Sequence, residues 1–308
     1  MTVELSIVIC TRNRANRLGG TLASLAALHS VRSWEVLLVD NASTDDTTAV
    51  LAASDDLGGR KRVLFAEPIG LGAARDMAWR QAKGTHITFT DDDCYLQPDF
   101  VDAVLTVFDE RPRLACLGGR IMLFDPSDVR VTIDERDTAS TLPPRSFVRA
   151  GTLHGANMTF TRDALETIGG IDPELGAGTR FPCEDIDAIA ATVWAGLEVA
   201  FDPRPVVFHH HGRKVADLPK LRQGYDLGRG VYYAKYLRRP DARLIYLRAW
   251  WSIIKNNEEA WSQESLRTEF AGAITYLMHK RDYKTIVILI PFIAFVKIRN
   301  IIKRHSSE

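Results

Sequence analysis

The chain has 308 residues, of which 46% are hydrophobic and 25% are charged, and both values are ordinary for a globular protein. Such a composition excludes a disordered protein, a collagen-like fibre and a polytopic membrane protein. The 39 basic and 39 acidic residues cancel. Since nucleic-acid-binding domains usually carry a basic excess, we expect no nucleic-acid partner.

The first half of the chain alternates short apolar strands with helical patterns. Strands are predicted at 5–10, 34–39, 62–65 and 86–90, and helices at 18–28, 47–53 and 73–83. This alternation predicts an α/β fold with a mainly parallel sheet flanked by helices. In such a sheet the carboxyl ends of the strands line one edge, and ligands bind there.

The second half of the chain is less regular. Strands are predicted at 114–117 and 206–208, helices at 162–168 and 185–195, and a variable loop at 125–149. From residue 213 the composition shifts towards Arg, Lys, Tyr and Trp on long helical patterns. We therefore expect a C-terminal helical extension over 213–308.

Two features bear on location. The four cysteines show no C-x-x-C spacing, and the N terminus lacks the basic segment and cleavage site of a signal peptide, which together predict a reduced, cytoplasmic setting. The apolar run 286–296 contains Pro291 and is too short for an ordinary spanning helix. Its basic flanks, among them Lys284 and Lys297, suit peripheral contact with the inner face of a membrane, but a helix packed on the catalytic domain with a basic rim explains them slightly better.

Three acidic residues, Asp91, Asp92 and Asp93, follow the fourth predicted strand. Carboxylates one residue apart at a strand end suit Mg²⁺ or Mn²⁺, which would keep positions open for a phosphate. Taken alone, the triplet is explained equally well by a solvated acidic turn. Its position at the predicted ligand-binding edge favours the metal site.

A second acidic motif, Glu184 and Asp185, opens a predicted helix. Carboxylates in a first helical turn are common because they complement the helix dipole. The alternative is a general base that accepts a proton from an attacking hydroxyl.

Three consecutive histidines follow the last predicted strand. Strand alternation puts His209 and His211 on one face and His210 on the other. A neutral ring nitrogen of one of them could bind a metal, although a lone histidine is more often structural.

Two turns rich in small residues complete the candidates. One precedes Arg75, whose guanidinium could pair with a diphosphate or simply be an exposed helix residue. The other contains Gly155 and Asn157, and its backbone amides could face a sugar or a phosphate.

In chain order these motifs resemble the family 2 glycosyltransferases of the GT-A fold, in particular those of bacterial polysaccharide and glycan assembly. The matching segments are 6–13, 39–45, 70–75, 91–93, 155–158, 169–172 and 184–185, the last followed by the histidines. The resemblance covers about residues 3–212. It implies a catalytic domain over 1–212, with a nucleotide-binding half of about 1–112 and an acceptor half of about 113–212.

The resemblance implies an inverting hexosyl- or deoxyhexosyltransferase that uses a nucleotide-diphosphate sugar, Mn²⁺ or Mg²⁺, and a glycan or lipid-linked glycan acceptor. The implied catalytic residues are Asp185, as the base, and Glu184. The implied nucleotide-sugar-binding residues are Thr11, Arg12, Asn13, Asp40, Asn41, Arg75, Asp91, Asp92, Gly155 and Asn157. The candidate metal ligands are Asp91, Asp93, His209 and His211.

One departure from the family pattern concerns the nucleobase. Asn41 stands where the family often has a second aspartate that reads uracil, so uridine, thymidine and guanosine donors all stay open.

Two other functions fit parts of the pattern. A sugar-nucleotide nucleotidyltransferase can share the α/β core and acidic site, but the segment 10–14 after the first strand lacks the glycine-rich loop of those enzymes. A non-catalytic binding module is disfavoured because both acidic motifs are present.

Overall fold

A computed structural model of the chain describes residues 2–256 and 263–305. The chain divides into two compact units. The first comprises Met1–Arg180 and Glu184–Ala216, and the second comprises Phe181–Cys183 and Asp217–Glu308. The short segment Phe181–Cys183 therefore groups with helices that follow it in the chain by more than thirty residues.

The first unit is built on a nine-stranded sheet. Its strands are β1 (Leu5–Thr11), β2 (Trp34–Asp40), β3 (Lys61–Phe65), β4 (His86–Asp91), β5 (Cys94–Leu96), β6 (Leu114–Leu123), β7 (Ser140–Leu142), β8 (Asn157–Thr161) and β9 (Glu198–His209). Their order is β3-β2-β1-β4-β8-β6-β9-β5, with β7 paired to β9. The first four strands in this order are parallel, as predicted. Beyond β4 the sheet becomes mixed, because β8 runs antiparallel to both β4 and β6.

Six helices cover this sheet. They are α1 (Gly19–Ala26), α2 (Thr47–Ala53), α3 (Leu71–Gln81), α4 (Phe100–Glu110), α5 (Arg162–Ile168) and α6 (Glu184–Trp194). The strands and helices predicted before residue 91 are confirmed to within two residues at each end. Helix α4 adds to the predicted elements, and its buried side chains recur at helical spacing.

The parallel strands β1 and β2 lie at the centre of the hydrophobic core. Every residue of β1 and β2 is buried, and Leu25, Leu51 and Val104 of three covering helices pack on them. Burying one such side chain stabilises the fold by about 1.5 to 3 kcal/mol. The register aligns Thr11 with Asp40, so the polar ends of these strands lie side by side at one edge.

The predicted variable loop 125–149 is fastened to the sheet at several points. Strand β7 pairs antiparallel with β9, and Asp134 forms a bridge to Ile121. Arg136 pairs with Asp134, and its guanidinium lies 4.0 Å above the ring of Phe201. Cross-strand pairing that is distant in sequence thus orders a segment with weak local periodicity.

The second unit is helical, as predicted for the C-terminal extension. A 3₁₀ turn, Val215–Asp217, leads into its helices, which are α7 (Leu218–Leu237), α8 (Arg243–Asn256), α9 (Gln263–His279) and α10 (Tyr283–His305). Helices α7 and α9 approach closely because Gly230 has no side chain: a Cβ there would lie 1.9 Å from the carbonyl oxygen of Glu269. Among the described residues, no helix combines the length and the apolar character needed to cross a bilayer.

Candidate functional site

The three aspartates at the end of β4 divide between two surroundings. Asp92 is 9% exposed, accepts a hydrogen bond from the Thr11 hydroxyl at 2.5 Å, and its backbone carbonyl accepts one from Thr21 at 2.6 Å. Burial raises the pKa of Asp92 to about 6. Asp92 therefore fastens the end of β4 to β1 and α1, while Asp91 and Asp93 take part in different contacts.

Arg75 on α3 connects the separate acidic motifs. Its Nη2 donates to Asp91 Oδ1 at 2.8 Å and to the Gly155 carbonyl at 3.0 Å, and its Nη1 donates to Glu184 Oε1 at 3.1 Å. The residue is only 1% exposed. Burial opposes its charge, but Asp91 and Glu184 outweigh that effect and raise the pKa of Arg75, so the guanidinium stays cationic. Three of its donors serve protein groups, and the predicted contact of Arg75 with the nucleotide sugar stays a prediction.

Glu184 and Asp185 begin α6, where carboxylates complement the helix dipole. Glu184 is 7% exposed, and burial together with the Asp185 charge raises its pKa to about 7. Asp185 is half-buried, and its Oδ2 accepts a hydrogen bond from the Gly155 N–H at 2.9 Å. The two neighbours thus differ: Glu184 is enclosed and paired with Arg75, and Asp185 is more accessible.

Gly155 is required by this arrangement. A Cβ at this position would lie 2.9 Å from both Arg75 Nη1 and Asp185 Cβ. Its N–H and carbonyl hold Asp185 and Arg75 respectively. The turn predicted to face a sugar or phosphate therefore has a direct contact with the candidate base.

Asp91, Asp93, Cys94 and His209 form a cluster that could hold a metal ion, since one ligand atom of each lies within 4.8 Å of the others. His209 Nε2 is 3.2 Å from Asp93 Oδ1. Burial alone would raise the pKa of Asp93, but the hydrogen bond and charge of His209 lower it below the usual range. Burial also raises the pKa of Cys94 well above its usual value, so its sulfur stays a thiol. Two carboxylates and an imidazole are a donor set that suits Mn²⁺ or Mg²⁺.

His211, the other candidate ligand, lies beside this cluster and is not part of it. Its ring centroid is 5.0 Å from that of His209. Its Nδ1 accepts a hydrogen bond from the Arg213 N–H at 3.0 Å, while its buried Nε2 has no hydrogen-bond partner among the described residues. Because Nδ1 accepts a hydrogen bond, the neutral ring carries its proton on Nε2, so metal binding by Nε2 would require the other tautomer and stays a prediction.

The loops that follow β1 and β2 are joined to each other. The Asn13 N–H donates to Ser43 Oγ at 2.9 Å, and the Thr44 N–H donates to Asn13 Oδ1 at 2.8 Å. Asn13 has a φ of 54°, in the left-handed region that asparagine tolerates better than most residues. Arg12 is exposed on the same loop. The two loops thus form one wall at the strand ends.

Asp40 and Asn41, both predicted nucleoside contacts, are buried and hydrogen-bonded within the protein. Asp40 accepts hydrogen bonds from the backbone N–H of Ser43 and from the hydroxyl of Thr48 in α2. The Asn41 amide donates to the carbonyls of residues 66 and 68 and accepts from the Gly70 N–H. These side chains support the loop geometry, and a nucleoside contact by either remains a prediction.

Asn157 also has a supporting position. It is 2% exposed, and its amide donates to the carbonyls of Arg120 and Pro205 at 2.9 and 3.1 Å. It therefore fastens β8 to the neighbouring strand β6 and to β9 beyond it, and a contact with the nucleotide sugar stays a prediction.

Arg14 is a site residue that the motifs did not single out. Its Nε is 3.5 Å from Asp92 Oδ1 and its Nη2 is 3.4 Å from Asp93 Oδ2. Its position could have identified it, because Arg14 lies in the polar segment directly after β1 that also contains predicted ligand-binding residues.

The sequence of this chain is similar to those of a known protein family. The profile of glycosyl transferase family 2 matches residues 6–169, just over half of the chain. EpsH of Bacillus subtilis is 24% identical over 171 residues, or 54% of this chain and 49% of EpsH. The succinoglycan biosynthesis protein ExoU of Rhizobium meliloti is 30% identical over 136 residues, or 40% of this chain and 39% of ExoU. The matches therefore span about half or less of the length of these relatives.

A solved structure has a similar fold. The mannosyltransferase PcManGT from Pyrobaculum calidifontis, in complex with GDP-Man and Mn²⁺, matches with a TM-score of 0.60 and 19% identity, over 96% of this chain and 81% of that chain. At that identity the likeness concerns the fold alone, and it agrees with the predicted GT-A architecture. With the profile match over more than half of its length, the chain belongs to glycosyl transferase family 2 and has the GT-A fold.

Proposed function

We propose that this protein is an inverting, metal-dependent glycosyltransferase. It transfers a sugar from a nucleotide-diphosphate sugar to a hydroxyl of a glycan acceptor, in the assembly of a polysaccharide. Family membership supports the reaction class, and the name of the relative ExoU supports the polysaccharide context. GDP-Man and Mn²⁺ in the structure of PcManGT support a nucleotide sugar and a divalent cation.

The observation that carries the proposal is the linkage through Arg75. This buried guanidinium joins Asp91, a member of the candidate metal-ligand cluster, to Glu184, the neighbour of Asp185. This linkage fixes the candidate metal ligands, which would hold the donor diphosphate, relative to the candidate base. Pre-positioned groups of this kind lower the barrier because no reorganisation is needed during reaction.

Asp91, Asp93 and His209 would hold Mn²⁺ or Mg²⁺. When bound, such an ion supplies positive charge that stabilises a leaving diphosphate. We assign no particular nucleobase or sugar, because the side chains of Asp40 and Asn41 are hydrogen-bonded within the protein.

Asp185 acts as the general base. Glu184 is enclosed and paired with Arg75, so Asp185 is the accessible carboxylate of the two. The acceptor oxygen forms a bond to the anomeric carbon, the bond from that carbon to the diphosphate oxygen breaks, and the acceptor proton passes to Asp185. One base and one displacement invert the anomeric configuration.

The test is donor turnover by the purified chain. A panel of UDP-, GDP- and dTDP-sugars is incubated with Mn²⁺ and glycan acceptors, and release of nucleoside diphosphate is measured. Asp185→Asn keeps the size of the side chain but cannot take the proton, so turnover should fall by about 10²- to 10⁴-fold. Asp163→Asn is the matched control, because Asp163 is an exposed carboxylate in the first turn of α5.

Other outcomes would contradict specific parts of the proposal. Turnover retained in Asp185→Asn would move the base to another residue, and full activity in EDTA would remove the metal. Pyrophosphate release from a sugar phosphate and a nucleoside triphosphate would indicate a nucleotidyltransferase. Binding of donors without any turnover would indicate a binding module.

Peripheral contact of α10 with an anionic membrane surface is a separate part of the proposal. The exposed residues Tyr283, Val287 and Ile290 recur along this helix at helical spacing and are 63%, 62% and 55% exposed. We expect the protein to float with anionic vesicles and to lose this binding in the double variant Val287→Asp/Ile290→Asp. Equal flotation of both proteins would rule out contact through this stripe. Side chains of the basic flank from 297 onward lie outside the described residues.

A further inference from the structure

The two arginines that meet the acidic residues are held in different ways. Arg75 makes hydrogen bonds of 2.8 to 3.1 Å, and its side chain is 2% exposed. Arg14 lies 3.4 and 3.5 Å from its two carboxylates, and its side chain is 31% exposed. Its distances exceed the value of about 2.7 to 2.9 Å that is usual for a charge-assisted hydrogen bond. Arg14 is therefore held by one long hydrogen bond, from Nη2 to Asp93 Oδ2, and by charge attraction to Asp92, which is a looser hold than that on Arg75.

The loop beneath Arg14 is anchored independently of its side chain. The Arg14 N–H donates to Thr47 Oγ1 at 2.9 Å, and the neighbouring Asn13 is bonded to the loop after β2. The guanidinium can therefore change partners while the backbone stays in place.

Asp93 is shared between two nitrogen groups. His209 Nε2 approaches Oδ1, and Arg14 Nη2 approaches Oδ2. A divalent cation on Asp93 would lie close to the Arg14 charge, and like charges at that range repel each other. Metal binding would therefore weaken the hold of Asp93 on Arg14.

Building on the proposed function, we infer that Arg14 is a positioning residue for the donor diphosphate. It neutralises Asp92 and Asp93 in the free protein, leaves Asp93 when the metal binds, and pairs with the phosphates that arrive with it. Arg75 already donates three short hydrogen bonds to Asp91, Glu184 and Gly155, so Arg14 is the arginine of the two that can move towards a phosphate. A guanidinium suits the role because its planar fork can bind two phosphate oxygens at once.

This role predicts two effects of opposite sign when the Arg14 charge is removed. Without nucleotide, Mn²⁺ should bind more tightly, because a competing cation beside Asp93 is gone. With Mn²⁺ present, nucleoside diphosphates should bind less tightly, because a phosphate ligand is gone. A residue that merely stabilises the loop would change both affinities in the same direction or change neither.

The experiment compares wild type, Arg14→Met, Arg14→Lys and the control Arg17→Met, which alters an exposed arginine three residues further along the chain. Mn²⁺ affinity is measured by electron paramagnetic resonance without nucleotide. The affinities for UDP, GDP and dTDP, and for the matching monophosphates, are then measured by calorimetry with Mn²⁺. We expect Arg14→Met to bind Mn²⁺ about threefold more tightly and its best diphosphate about tenfold more weakly.

The monophosphate should lose less affinity than the diphosphate, and Arg17→Met should match wild type throughout. Arg14→Lys keeps the charge but not the fork, so its Mn²⁺ affinity should be that of wild type and its diphosphate affinity intermediate. If Arg14→Met does not fold, Arg14→Lys carries the test alone. An unchanged diphosphate affinity in the variants, or an unchanged Mn²⁺ affinity in Arg14→Met, overturns the inference.

Failure of the proposed function has a different signature. Wild-type protein that binds neither Mn²⁺ nor any of the three diphosphates refutes the function itself, and the inference about Arg14 with it. Wild-type binding combined with indifferent Arg14 variants refutes only the role of Arg14.

Discussion

Replacing Arg75 with methionine tests whether this guanidinium organises the site. Arg75→Met keeps an aliphatic stem but leaves Glu184 and Asp91 without their cation and the Gly155 carbonyl without a donor. Removing one partner of a buried ion pair costs about 3 to 5 kcal/mol, because the remaining charge is left uncompensated. For a unit of roughly 200 residues this corresponds to a decrease in Tm of about 6 to 20 °C.

The loss should also depend on pH. Glu184 already has a pKa of about 7 from burial and the Asp185 charge, and without Arg75 it should protonate more readily still. A neutral Glu184 no longer suffers from the missing cation, so Arg75→Met should be less destabilised at pH 6 than at pH 8.

The assay is urea or thermal unfolding at both pH values, with Arg80→Met as the control on the same helix. Arg80 pairs with Asp76 one turn away and its side chain is 52% exposed, so its loss should cost less than about 1 kcal/mol. Equal destabilisation of the two variants, or a loss in Arg75→Met that does not vary with pH, would refute the reasoning.

Three further outcomes are expected. Gly72→Ala should cost about 1 to 3 kcal/mol in urea titrations, because its Cβ would lie 2.3 and 2.4 Å from two backbone carbonyl oxygens, whereas Gly19→Ala, with open space around it, should be neutral. Burial raises the pKa of Glu269 to about 7 against the pull of Arg229. Its stabilising contribution is therefore present in acid and lost as the pH rises through 7, so the free energy of unfolding should fall by about 3 kcal/mol from pH 5 to pH 8 relative to Glu269→Gln; parallel curves would contradict this. Asp93→Ala should lose most Mn²⁺ binding in a paramagnetic resonance titration, and an unchanged affinity would exclude Asp93 as a ligand.

Local sequence determined the elements of the first half. The apolar runs that became β1 and β2 are buried on both faces, and such runs have few alternatives to a central strand. The polar residues at the strand ends were predictable for the same reason, since parallel strands bring their carboxyl ends to one edge. Asp91 and Asp93 could therefore be assigned to a ligand-binding edge from the sequence.

Local sequence was less informative beyond β4. Strand β5 has three residues and β7 has three, too few for a period to be recognised, and both form because β9 offers them a long partner. The antiparallel course of β8 beside β4 depends on pairing between residues about 70 positions apart. No local pattern encodes such a pairing.

The sequence by itself determined which chemical groups stand at the element ends: carboxylates at a strand end, an acidic pair at a helix start and histidines at the end of the last strand. Only the tertiary structure decided which partner each of those groups has and which of them stays accessible. It paired Glu184 with Arg75 and left Asp185 accessible, put His209 on Asp93, and used Asn41 and Asn157 to hold backbone segments together. The physical reason is that residue type fixes what a side chain can donate, accept or ionise. Burial and the identity of its neighbours, which are distant in sequence, fix which of these it does.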